Sequence, residues 1–204
     1  DTRFKTAYFE NPYVLRMLDL VDIITPGTDY DYQRLGQPAV DFYEKLRQKG
    51  KIMGFYVCAQ TPSEAEATRY YRLQQWACWM INAGGRQSWS GFWSYSDVRG
   101  GTPWNQLAGG NDKNWCPAYL DYTSATDGKH WLAIFEGVQD YEYLLMLKDR
   151  IAAARQAGRD DETIAAAQTL LDELPSEVIT AVRAGDQTAC DKGRLRVLAA
   201  LETL

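Results

Sequence analysis

The sequence predicts an α/β protein: four parallel βα units, the C-terminal half of a (β/α)8 TIM barrel, followed by a helical tail. Three observations lead there. Short strand-like runs alternate with helix-like segments four times, and such alternation implies a parallel sheet. The third run, Lys51 to Ala59 (KIMGFYVCA), is apolar nearly throughout, as suits a parallel strand buried on both faces. No Gly-rich phosphate loop of the GxGxxG kind follows any strand, which argues against an open doubly wound sheet.

Residues 3–9 (RFKTAYF) read as the first strand. Asn11-Pro12 then opens a short helix, because Asn caps and Pro fits the first helical turn. Val21 to Thr25 is the second strand, ended by Pro26-Gly27. A helix begins at Pro38 and stops at Gly50, a C-cap glycine. After the third strand, Thr61-Pro62-Ser63-Glu64 starts a long helix with Leu73, Trp76, Ala77 and Met80 on one face. It ends at Gly84-Gly85. Ser88 to Tyr95 (SWSGFWSY) is the fourth strand, and Ser96 to Lys129 reads as a long loop, a length that is usually functional. His130 to Arg150 is a strong helix whose stripe of Trp131, Ile134, Val138, Tyr141 and Leu145 should pack on the outer face of the sheet. Helices near Glu162–Leu174 and Lys192–Leu204 complete the chain. Residues 1–150 are thus the half barrel, and 151–204 a helical tail packed on it. Half a barrel leaves open sheet edges, so the expected partner is an N-terminal half, from the same or another chain.

The composition excludes several classes. Of 204 residues, 22 are basic and 27 acidic, and no basic cluster stands out, so no nucleic-acid partner is expected. No apolar run approaches the roughly 18 residues of a membrane span. The only histidine is His130, which speaks against a His-based metal site or a Ser/His triad, and no metal site or cofactor is expected. Cys58, Cys78, Cys116 and Cys190 match no zinc or redox spacing. Cys78 reads as a core thiol, and Cys58 and Cys116 are either free thiols or a disulfide pair.

Aromatic content is the outlying feature, with 7 Trp and 13 Tyr. Four of the tryptophans, Trp89, Trp93, Trp104 and Trp115, fall in a Gly-rich stretch where core packing explains them less well. Barrel active sites lie at the C-terminal ends of the strands, which selects Glu10, Asp29, Tyr56 to Gln60 and Trp93 to Asp97. Glu10 is either a site carboxylate or the start of the helix at Asn11, and Asp29 and Asp31 fit a solvated turn. Tyr56 serves a barrel core or a sugar contact. Trp93 and Tyr95 share one strand face, with Asp97 beyond them and Trp104 in the following loop. A flat ring for the C–H face of a sugar and a carboxylate for its hydroxyls suit a pyranose site; an aromatic core with a turn Asp is the alternative. The candidate substrate-binding residues are therefore Tyr56, Trp93, Tyr95, Asp97 and Trp104. No residue is assigned to catalysis.

Two segments carry a family resemblance. The helix WLAIFEGVQDYEYLLML (131–147) resembles the EG-x-x-DYEYL signature of the domain of unknown function 4091, found in barrel proteins related to glycoside hydrolase family 123. The order FYVCAQ, RYYRLQQWACWMINAGG, SGFWSY and then Trp104 is similar to that family's. The chain departs from it at His130 and Phe135, where the family usually has Arg, and at Trp115-Cys116-Pro117. The resemblance implies a retaining glycosidase-like barrel in which an Asp-Glu pair works by substrate-assisted catalysis on N-acetylgalactosaminides, an exception to the two-carboxylate scheme. That pair belongs to an earlier strand. The adjacent pairs here, Asp161-Glu162 and Asp172-Glu173, lie in the helical tail. The expected function is the C-terminal portion of a glycoside hydrolase with a carbohydrate substrate, in the extracellular or periplasmic setting that glycans suggest. The alternative is a non-catalytic carbohydrate-binding or scaffold protein. Glu136, Asp140, Tyr141 and Glu142 of the signature read as structural.

Overall fold

The computed structural model describes residues 9–25, 37–56, 67–82, 90–91, 118–120, 123–159 and 161–204. The chain divides into two compact units. One comprises Asp1–Ala59 with Ile81–Trp93, the other Gln60–Met80 with Ser94–Leu204.

In the first unit, α1 (Pro12–Asp19) starts as the sequence predicts. The Asn11 side chain accepts a hydrogen bond from the Tyr13 N–H at 2.9 Å, and Pro12 takes the first helical position. At its other end Lys51 donates from Nζ to the Asp19 carbonyl (3.0 Å), an acceptor that the helix end leaves open, and to the Val21 carbonyl just beyond it (2.7 Å). β1 (Ile23–Ile24) follows, then α2 (Gln37–Gln48). The turn after α2 carries two backbone bonds, Gly50 N–H to Arg47 and Lys51 N–H to Leu46, the pattern of a Schellman cap with Gly50 at φ 83°. β2 (Ile52–Met53) runs parallel to β1, and past Gly54 the same extended segment, as β3 (Phe55–Tyr56), runs parallel to β4 (Ser90–Gly91). Leu18, Ile24, Ala39, Tyr43, Leu46 and Met53 are buried. Phe9, Phe42 and Tyr43 form a ring cluster with centroids 4.6–6.2 Å apart.

The second unit is built on helices. A π-helical turn, Thr68–Arg72, leads into α3 (Leu73–Asn82), which it enters through a bond from the Leu73 N–H to the Thr68 carbonyl, five residues back. β5 (Ala118–Leu120) and β6 (Ala125–Asp127) pair antiparallel. Then come α4 (Lys129–Gln156), α5 (Glu162–Arg183) and α6 (Ala189–Thr203). Asp161 caps α5 by accepting from the Ile164 N–H at 3.1 Å, and this bond, helped by Arg159, holds the carboxyl below its usual range. α5 continues through the buried Pro175, although proline removes one helix bond. Leu171, Leu174, Val178 and Val182 are buried on both sides of it, so packing overrides the break. The core comes from stripes at helical spacing: Ala133, Gly137, Asp140, Leu144, Leu147 and Ile151 on α4; Ile164, Ala167, Leu171, Leu174, Val178 and Val182 on α5; Ala189, Cys190, Gly193 and Val197 on α6.

These observations correct the predicted fold class. The described residues are mostly helical, and their strands are two or three residues long, in three two-stranded pairings. Among the described residues, four parallel βα units of a half TIM barrel do not form. A short apolar run does not by itself distinguish strand from helix or set a strand's length, and Gly54 divides the longest such run at the point where its pairing partner changes. The segment Ser96–Lys129, read as loop, includes the β5–β6 pairing. Residues 1–8, Pro26–Gln33 and most of Ser88–Tyr95 lie outside the described residues, as do Cys58 and Cys116. Among the described residues, no helix is long and apolar enough to cross a membrane.

The stripe expected on α4 is also displaced. Tyr141 and Leu145 are buried, Trp131 and Ile134 are partly so, and Val138 is 43% exposed. The buried row runs through Gly137 and Asp140, residues that a search for apolar periodicity passes over. Val138→Asp should accordingly change stability by no more than about 0.5 kcal/mol, as surface substitutions do. Urea unfolding measures this, and a loss of several kcal/mol would show Val138 to be covered.

Candidate functional site

The signature helix supplies the clearest constellation. Asp140 is 1% exposed and stands at the centre of α4. Its Oδ2 accepts from Arg72 Nε at 2.7 Å and from the indole Nε1 of Trp76 at 2.9 Å. Its Oδ1 accepts from Arg72 Nη2 at 3.1 Å and from Arg194 Nε at 2.6 Å. One carboxylate thus joins α3, α4 and α6.

Each partner is held in turn. Arg72 closes the π turn, and Trp76 lies four residues on, one helical turn away on the same face. Arg72 also donates from Nη1 to Asp191 at 2.6 Å. Burial on its own would ease the proton off the Arg72 guanidinium; its bonds to Asp140 and Asp191 outweigh this and raise its affinity for the proton. Arg194 reaches back to the Glu136 carboxylate at 2.6 Å and to the Glu136 backbone carbonyl at 2.8 Å, and its guanidinium lies 5.8 Å from the centroid of the Tyr143 ring. Gly137 lets the π turn approach: a Cβ there would stand 2.8 Å from the Arg72 carbonyl oxygen and 3.1 Å from its Cα. Tyr141 packs edge-on against Trp79 at 5.2 Å, and burial raises its phenol pKa. Leu144 is fully buried.

In the signature, then, Asp140 joins three helices, Glu136, Gly137, Tyr141 and Tyr143 each contact one neighbouring element, Leu144 is buried, and Glu142 is exposed. Chemically the clasp is closed. The two oxygens of Asp140 accept four hydrogen bonds, which leaves no open position at which to take or give a substrate proton. Among the described residues, no group of three or more His, Cys, Asp or Glu side chains is placed to hold a metal ion.

Cys190 is fully buried at the edge of this cluster. Burial pushes its thiol up to about 12, with Asp140 and Asp191 adding to the rise and Arg72 and Arg194 opposing it. A folded-state pKa above the unfolded value of about 8.5 means a stabilising contribution that is complete below pH ~8.5 and fades as pH rises toward 12. At pH 8 Cys190 should therefore resist Ellman's reagent until urea unfolds the chain. Mass spectrometry of the labelled peptide checks this, and rapid labelling of native protein would contradict the burial. Cys78 is likewise buried, as the sequence predicts for a core thiol.

The sequence-predicted sugar contacts are placed only in part. Tyr56 ends β3, with its backbone opposite Gly91. Trp93, Tyr95, Asp97 and Trp104 lie outside the described residues, as do Asp29 and Asp31. Glu10 is exposed, one residue before the Asn11 cap. Asp161 caps α5, Glu162 is its first residue, and Asp172-Glu173 is exposed on the same helix. Sequence reasoning did not find Arg72, Trp76 and Arg194 as partners of Asp140. The usable signal was an acid on the core face of a helix, which demands buried donors.

No protein-family model matches the chain, and no curated protein or solved structure shows significant similarity to it. The likeness to the domain of unknown function 4091 therefore rests on the motif residues alone.

Proposed function

We propose that this chain is the carbohydrate-contacting C-terminal portion of a glycoside-hydrolase-type protein, with N-acetylhexosaminides as the first substrate class to test. The observation that carries the reading is the aromatic stretch Trp89–Trp115, four tryptophans interleaved with Gly, Asn and Asp. Flat rings and short polar side chains are what sugar faces and hydroxyls require. The EG-x-x-DYEYL likeness supports the same class, and its helix serves as a clasp rather than as a source of catalytic groups. Trp93, Tyr95, Asp97 and Trp104, with Tyr56, are the proposed contacts. The saturation of Asp140 removes that carboxylate alone from the candidate acids, and the alternative form of this reading is a chain that binds sugar without cleaving it.

Calorimetric titration with N-acetylated mono- and oligosaccharides tests the proposal. Binding should be measurable, and Trp104→Ala or Asp97→Asn should weaken it about tenfold, equivalent to about 1.4 kcal/mol, with the melting temperature unchanged. No heat of binding at millimolar sugar would overturn it. Chromogenic aryl N-acetylhexosaminides should not be turned over by this chain. Robust turnover would place the chemistry within it, with Glu10 and Asp97 as the first carboxylates to replace.

A further inference from the structure

We draw no further inference here: the strongest candidate, the exposed apolar stripe of Leu132, Phe135, Val138 and Met146 along α4, is an unpartnered helix face, and nothing in the structure shows what covers it.

Discussion

Replacing Asp140 with alanine should lower the unfolding free energy of the helical unit by about 3–5 kcal/mol, the cost of breaking a buried ion pair from one side. The loss is large because three donors depend on one carboxylate. Arg72, whose side chain is 8% exposed, would keep its charge with only the exposed Asp191 to meet it. The Trp76 N–H would lose its bond, and Arg194 would keep only Glu136. Asp140→Asn keeps the shape but withdraws the charge, so it should fall between alanine and wild type. Glu142→Ala, two residues along the same signature but exposed, should stay within about 0.5 kcal/mol. Guanidinium unfolding of the three variants makes the comparison. Equal losses at Asp140 and Glu142 would show that the clasp contributes nothing particular.

Gly137→Ala should be the second most damaging change, despite adding a better helix former. Alanine gains about 1 kcal/mol of helix propensity over glycine. The added methyl would meet the Arg72 carbonyl oxygen at 2.8 Å and its Cα at 3.1 Å, and backbone atoms cannot rotate out of the way as a side chain can. Overpacking typically costs about 1–3 kcal/mol, and here the shift also lengthens the Arg72–Asp140 bonds. With the overpacking cost at the top of that range, about 3 kcal/mol, less the propensity gain of about 1 kcal/mol, a net loss of about 2 kcal/mol follows. Gly193→Ala on α6 meets side chains instead, Val178 at 2.8 Å and the Trp76 ring at 3.0 Å, and should lose less. Thermal melts of both variants test the order, and a stabilised Gly137→Ala would rule out the close approach.

The helices were legible where local chemistry decides them. Asn11-Pro12, Gly50 and the long segment from His130 act through their own backbone, so their patterns can be read from neighbouring residues. The barrel was not legible, because strand pairing is a long-range property and the apolar run Lys51–Ala59 is equally compatible with two short pairings. The register of α4 was missed for a related reason. Its inner face uses a glycine for closeness and an aspartate for bonding, and neither raises hydrophobicity. Pro175 illustrates the opposite limit: the residue most disruptive to helices lies inside one, held by Leu171, Leu174 and Val178. Of the candidate site, the sequence named Asp140 and its structural role, but its partners lie 54–68 residues away along the chain, beyond any local pattern.

That separation has a kinetic meaning. Arg72 must find Asp140 across 68 residues and Asp191 across 119, and the entropy of closing such loops is lost before the contacts form. While the chain is being synthesised, Arg194 emerges last of the cluster. Until it arrives, Asp140 has only its bonds from Arg72 and Trp76, and Oδ1 lacks the shorter of its two. The clasp is therefore complete only once α6 is made, and truncation before Arg194 should leave Asp140 with three of its four hydrogen bonds.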